Sequence, residues 1–236
     1  MLYYRCKVIY TGNVEIHLWF LYILIGIYLV VPVLRVFVSA ASRSDLAYFV
    51  AMWFVATPLL ELAQRLSGFQ SALVIPVVAG YVGYFVMGYL LADVNLGRRG
   101  LFLSGLGCIL AITFIYAGTN LLSPAAAPID IYFYSYFSPP TVLASVCGFL
   151  LLKHLGQNLG RAAGLIRTLA VTAFGIYLIH IFVVELLRKG ILGFRLYSWQ
   201  GPSIYMIPLT ALAVYLLSFA IIFGLQKIPL VKLLVP

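Results

Sequence analysis

Charged side chains are scarce in this sequence of 236 residues, and acidic ones are the scarcest. Asp, Glu, Lys and Arg together make up 9% of the chain, with six acidic residues against fifteen basic ones. A typical soluble domain is about 25% charged. Hydrophobic residues reach 64% and the mean hydropathy is +1.09. So few charges cannot cover a water-facing surface, and the composition therefore indicates a multi-pass membrane protein with the lipid bilayer as its main partner.

Cysteine is also sparse, with three residues in the whole chain. Cys108 and Cys147 lie inside apolar runs, and Cys6 stands alone near the start. None has the spacing of zinc ligands and no disulfide framework is implied, so we expect no metal site. The net charge of +9 does not indicate nucleic-acid binding, because the basic residues fall between the apolar runs, where they set membrane orientation.

Long apolar runs are what the sequence has in abundance. About 20 mostly apolar residues can cross a bilayer as a helix, which satisfies its own backbone hydrogen bonds. No alternation typical of a barrel strand repeats along the chain. We therefore predict an all-α transmembrane helix bundle and a single domain over residues 1–236. Its seven predicted spans are Leu18–Phe37, Ala47–Leu62, Gln70–Ala92, Leu101–Leu122, Pro139–Leu155, Leu165–Leu187 and Ile204–Gly224.

The basic residues predict the direction of these spans. Nine of the fifteen fall at one set of span ends and six at the other. The richer side of a membrane protein is usually cytoplasmic. We therefore expect the N-terminus outside, the C-terminus inside, and the tail Leu225–Pro236 on the inner surface.

In this orientation the few polar side chains of the spans collect on the outer side. His17 heads the first span, Glu61 and Arg65 end the second, and His180 and Glu185 lie in the outer half of the sixth. An ionisable residue inside a span is costly and is a functional candidate by default. His180 is the strongest such candidate.

Each of these residues also has a structural interpretation. His17 can be an interfacial anchor beside Trp19. Glu61 and Arg65, four residues apart, are expected to form an ion pair on one helix face. Sequence separations of three and four residues likewise allow Glu185 to pair with Arg188 or Lys189 on one helix face.

The segment between the fourth and fifth spans is rich in aromatic residues, among them Tyr132, Tyr134 and Tyr136. It is either a belt at headgroup level or a platform on which sugar rings stack. We take these tyrosines, with Trp19, Tyr177 and Arg65, as candidate substrate contacts. Tyr177 can alternatively serve only to hydrogen-bond His180, three residues later.

Four segments in order resemble the acyltransferase 3 family. They are His17-Leu18-Trp19-Phe20-Leu21 followed by Tyr28 and Pro32; Gly80 to Leu90; Phe174-Gly175-Ile176-Tyr177-Leu178-Ile179-His180; and Lys227-Ile228-Pro229. Together they span nearly the whole chain. The closest similarity is to the WecH-like group of membrane O-acetyltransferases.

The resemblance implies transfer of an acyl group, often acetyl from acetyl-CoA, to a sugar hydroxyl of an envelope glycan such as enterobacterial common antigen or O-antigen. It implies a bacterial inner-membrane enzyme with acyl-CoA as donor substrate and no bound cofactor. The reaction needs a base and stabilisation of a developing oxyanion. His17, His180 and Glu185 match family positions and are the catalytic candidates.

The sequence departs from the family pattern at its beginning. Family members usually have ten spans, and the first carries an Arg or Lys followed about ten residues later by His. No span here has that signature. We therefore expect an N-terminally truncated acyltransferase whose missing portion supplies the main catalytic histidine, so that this chain alone can be inactive. The alternatives are a transporter or flippase, and a non-catalytic subunit, for envelope glycans.

Overall fold

The computed structural model describes residues 19–68, 80–123, 130–157, 159–197 and 200–227, apart from the side chain of Arg161. Within these ranges the regular structure is helical and contains no strand, which confirms the all-α prediction. The α-helices are α1 Trp19–Ala40, α2 Arg43–Phe54, α3 Leu60–Ser67, α4 Val82–Ala92, α5 Arg98–Leu122, α6 Pro139–Gln157, α7 Ala163–Lys189 and α8 Ser203–Leu225.

Six helical segments of the described ranges are long and apolar enough to cross a membrane. One of them joins α2 to α3 through a π-helical turn at Val55–Leu59, so that it runs unbroken from Arg43 to Ser67. By the length and composition of these segments the protein is a multi-pass membrane protein, as predicted. The third predicted span, Gln70–Ala92, is described only in its second part, where the shorter α4 lies.

Helix α2 begins four residues before the predicted start at Ala47, because a capping box initiates it. The Ser42 hydroxyl accepts from the Asp45 backbone N–H at 3.2 Å, and the Asp45 carboxylate accepts from the Ser42 N–H at 3.0 Å. Two backbone donors that a helix N-terminus leaves unpaired are thus satisfied. Polar capping residues therefore extend the helix beyond the apolar run.

The π-helical turn contains the buried Pro58. Proline has no N–H to donate within a helix, and a π-helical turn changes the hydrogen-bond register where a regular α-helix would be broken. The chain continues into α3, which ends at Gly68 with a left-handed φ of 68°. This short helix carries Glu61 and Arg65 at the end of the span.

The chain divides into two compact units, residues 21–158 and residues 1–20 with 159–236. In the first unit, Val38 of α1, Leu46 of α2 and Val86 of α4 form a buried core, and α5 packs along α6. In the second unit α7 packs along α8, with Val183 and Val214 in its core. Each unit carries some of the predicted site residues.

Candidate functional site

An ion pair at the end of α3 joins this helix to the segment that precedes α6. The Arg65 guanidinium pairs with the Asp130 carboxylate, whose side chain is 16% exposed. The predicted pair between Glu61 and Arg65 is therefore wrong. Asp130 is the better oriented partner, because its carboxylate accepts from the Tyr132 N–H at 2.9 Å and its own N–H donates to the Ser123 hydroxyl at 2.8 Å.

The same contacts favour the ionised form of Asp130. The Tyr132 backbone N–H donates to the carboxylate, and the Arg65 guanidinium lies beside it. Together they hold the pKa of the Asp130 carboxyl below its ordinary value, although partial burial acts in the opposite direction. The pair is therefore charged at neutral pH.

Glu61 faces the aromatic segment instead of Arg65. The Ser135 hydroxyl donates to its carboxylate over a long 3.4 Å, and Tyr132 is close enough to interact with it electrostatically. The Tyr132 hydroxyl is buried and has no hydrogen-bond partner within the described part of the chain. A half-buried carboxylate and a buried phenol thus lie together at this end of the first unit.

In the aromatic segment one ring packs against a neighbouring helix, and two tyrosine rings are exposed. A 3₁₀ turn covers Tyr132–Tyr134, and Phe133 packs edge-on against Phe114 with ring centroids 5.4 Å apart. Tyr134 is 59% exposed and Tyr136 52% exposed. Tyr134 and Tyr136 are therefore the exposed tyrosines of a segment that the half-buried Phe133 anchors.

Hydroxyl groups fix the backbone of this segment. Ser138, which is fully buried, donates to the Phe133 carbonyl at 3.0 Å, and Thr141 donates to the same oxygen at 3.2 Å. Helix α6 begins at Pro139, as the Ser-Pro pair predicts. The Tyr84 hydroxyl donates to the Tyr136 carbonyl. These hydrogen bonds hold the backbone of the aromatic segment at the Phe133 and Tyr136 carbonyls.

In the second unit the structure brings together Trp19, Phe20, Tyr177 and His180. Phe20 lies edge-on to Trp19 with centroids 6.2 Å apart, and edge-on to Tyr177 with centroids 5.7 Å apart. The Tyr177 ring in turn lies 5.8 Å from the imidazole of His180. The start of α1 therefore meets the face of α7 that carries the histidine. His17 lies outside the described residues.

The hydrogen bond of His180 sets its tautomer. Nδ1 is bonded to the backbone carbonyl of Tyr177, one turn earlier in α7. A carbonyl oxygen only accepts, so in the neutral ring Nδ1 carries the proton and Nε2 carries the lone pair. The half-buried imidazole, when neutral, therefore has Nε2 as its acceptor nitrogen.

Glu185 adopts the structural arrangement that its spacing allows. Its carboxylate accepts from Arg188 at 2.8 Å and lies 3.7 Å from the ammonium group of Lys189. It lies on α7, five residues beyond His180. A carboxylate whose charge is balanced by two neighbouring cations therefore lies near the end of the span.

Sequence reasoning missed Asp130, Ser135 and Ser138 as part of this site. Asp130 had a usable signal, because it is one of only six acids and stands beside the aromatic run. Ser135 had none, since serine is common in loops, whereas Ser138 stands before Pro139 as a helix start. Among the described residues no three His, Cys, Asp or Glu side chains are grouped so as to hold a metal ion.

No curated protein and no solved structure matches the chain. Residues 9–226 match the profile of the Acyl_transf_3 family, described as an acyltransferase domain. This range covers most of the chain and extends over both compact units. The chain therefore belongs to the acyltransferase 3 family and is a membrane acyltransferase.

Proposed function

We propose that this acyltransferase moves an acetyl group from acetyl-CoA, or another acyl group from its CoA thioester, to a sugar hydroxyl of a bacterial cell-envelope glycan. Enterobacterial common antigen and O-antigen are acceptors of the right class, as in the WecH-like group. The protein acts in the inner membrane with its N-terminus outside and C-terminus inside. The family match over both units supports a single acyltransferase domain.

The aromatic platform before α6 carries this proposal. The exposed faces of Tyr134 and Tyr136 suit the C–H faces of a sugar ring, because an aromatic ring offers a flat apolar surface with a negative face. The Arg65–Asp130 pair and Glu61 lie at the same end of the first unit and offer donors and acceptors for hydroxyl groups. Apolar faces beside charged hydrogen-bonding groups are what a sugar requires.

His180 supplies the base in this proposal. Its Nε2 takes the proton of the sugar hydroxyl as the hydroxyl oxygen forms a bond to the thioester carbonyl carbon. The carbon–sulfur bond then breaks, the CoA thiolate leaves, and the proton neutralises it. The sugar retains the acyl group as an ester, so no oxidant or reductant is consumed.

The remaining candidates of the second unit take supporting roles. Tyr177 holds the imidazole of His180 through its backbone carbonyl, and Trp19 with Phe20 covers the neighbouring aromatic surface. Glu185, held by Arg188 and Lys189, is a further candidate on the same helix, and His17 is a second candidate base. These assignments rest on the family resemblance together with the contacts of the second unit.

Acetyl transfer in a reconstituted system tests the proposal. The chain in liposomes is given radiolabelled acetyl-CoA and lipid-linked envelope glycan, and label in the glycan is counted. We expect hydroxylamine-labile label, as an O-ester requires. His180→Gln keeps a polar side chain of related shape and should reduce the rate by about 10²- to 10⁴-fold.

The matched control is His154→Gln, which removes a histidine from the last turn of another helix, α6. This variant should retain the rate of the unchanged chain. Transfer that is equal in the two variants would contradict the role of His180. Glycan translocation across the liposome without any label transfer would favour the flippase alternative.

A further inference from the structure

The first compact unit contains an apolar cleft of about 830 Å³ among α2, α4, α5 and α6. Its volume lies within the range of about 300–1,000 Å³ typical of small-molecule sites. The lining includes Ala51 of α2, Leu91 of α4, Ala111 of α5 and Leu143 of α6, all of which are apolar. Such a wall offers no hydrogen bond, so the group that it suits is a hydrocarbon chain.

Basic residues lie beyond the end of the cleft that Leu91 lines. Lys153 of α6 donates from its ammonium group to the carbonyls of Leu91, which lines the cleft, at 3.5 Å and of Val94 at 2.8 Å. Arg98 and Arg99 begin α5 at the same end, because only residues 93–97 separate them from α4. Three cations thus lie beyond the end of the cleft that Leu91 lines.

Little acidic charge offsets these cations. Arg43, one turn before the cleft-lining Ala47, pairs with Asp93 at 2.8 Å. Within the described ranges no carboxylate forms an ion pair with Lys153, Arg98 or Arg99. An ammonium group has three donors, and Lys153 uses two on carbonyls. The remaining donor and the two guanidinium groups suit an anionic phosphate.

We propose that the cleft binds an anionic phospholipid, with an acyl chain among α2, α4, α5 and α6 and its phosphate at Lys153, Arg98 and Arg99. Basic pockets between membrane helices bind anionic headgroups, and each cation near the surface contributes about 1 kcal/mol. A surface cluster of cations contacts only the headgroup, whereas the cleft also offers an apolar wall to the acyl chain of the lipid.

Native mass spectrometry of the purified full chain tests this site with lipids of identical acyl chains. Phosphatidylglycerol should bind more tightly than phosphatidylcholine. Lys153→Gln should weaken phosphatidylglycerol binding by about fivefold, which corresponds to about 1 kcal/mol for one cation, and leave phosphatidylcholine unchanged. Ala51→Trp should weaken both lipids, since it fills the cleft. Leu143→Trp repeats the block from another helix in case the first variant misfolds.

Arg35→Gln is the matched control, because Arg35 is an exposed cation on α1, a helix that contributes no residue to the cleft lining. It should bind both lipids as the unchanged chain does. Equal binding of the two lipids, unaffected by Lys153→Gln, would overturn the proposal. Glycerol phosphate that displaces phosphatidylglycerol fully would also overturn it, because the site would then recognise a phosphate without a chain.

Discussion

Arg65 and Asp130 are 65 positions apart in sequence and form an ion pair that joins the end of α3 to the aromatic segment before α6. Two hydrogen bonds fix Asp130, since its backbone N–H donates to the Ser123 hydroxyl and its carboxylate accepts from the Tyr132 backbone N–H. The pair therefore holds in place the segment that carries the exposed tyrosines. In the proposed function, this ion pair positions the tyrosines on which the sugar stacks.

The pair gives the stability a defined pH dependence. The folded-state pKa of Asp130 is lowered, so its stabilising contribution is present above the unfolded pKa of about 3.9 and is lost as pH falls through the folded pKa. Asp130→Asn should therefore lower the melting temperature in detergent at pH 7.

The melting temperatures of Asp130→Asn and the unchanged chain should converge as pH falls below the unfolded pKa of about 3.9 and through the lower pKa of the folded carboxyl group. A difference in melting temperature that stays constant from pH 7 to pH 3 would contradict the electrostatic role. Asp93→Asn is the control, because both partners of its ion pair are well exposed and such pairs contribute little.

Gly83 is required by its contact with Trp53. A Cβ atom at this position would lie 2.0 Å from the indole, which is itself fully buried and held by a 2.8 Å hydrogen bond to the Gly80 carbonyl. Gly83→Ala should destabilise the protein by about 1–3 kcal/mol through overpacking. Thermal or denaturant unfolding in detergent measures this change in the free energy of unfolding.

Gly88 on the same helix is the matched comparison, because a Cβ atom there would meet nothing within 4 Å. Gly88→Ala should raise stability by up to about 1 kcal/mol, since alanine favours the helix. If the two substitutions changed stability equally, the packing of Trp53 on α4 would not be the cause.

The two exposed tyrosines should affect acceptor binding more than turnover. Tyr134→Ala and Tyr136→Ala each remove a stacking face worth about 0.5–1.5 kcal/mol, which predicts an increase of about two- to tenfold in KM for glycan at nearly unchanged kcat. Phenylalanine at either position should restore most of the affinity. Tyr48→Ala, an exposed tyrosine on α2, is the control.

A fall in kcat at unchanged KM would assign these tyrosines to the reacting geometry instead of to binding. Equal effects of all three alanine variants would indicate a general membrane contact, as the aromatic-belt interpretation requires. The comparison therefore separates the two interpretations of the aromatic segment.

The helices could be predicted because apolar runs of membrane length have few other structures available in lipid. Their ends could not be read from hydropathy alone, as α2 shows. Ser42 and Asp45 are polar and interrupt no apolar run, yet their reciprocal hydrogen bonds start the helix. The capping pattern is visible in the sequence, but only when polar residues are examined for their own local structure.

The partners of polar side chains depend on tertiary contacts. Spacing alone placed Glu61 beside Arg65, whereas folding brings Asp130 to the arginine and Ser135 to the glutamate. Glu185 is the opposite case, since its partners three and four residues away are those that the spacing predicts. The ring contact between Tyr177 and His180 was likewise predictable, because they share one helix face, whereas the hydrogen bond of His180 goes to the Tyr177 backbone carbonyl.

The most direct test of the proposed chemistry is the acetyl content of envelope glycan from cells that carry the unchanged gene, a deletion, or His180→Gln. Mass spectrometry of the purified glycan should show O-acetylated sugar with the unchanged gene only, with protein levels matched by immunoblot. Full acetylation with His180→Gln would contradict the assignment of the base. Full acetylation in the deletion strain would contradict the proposed acceptor.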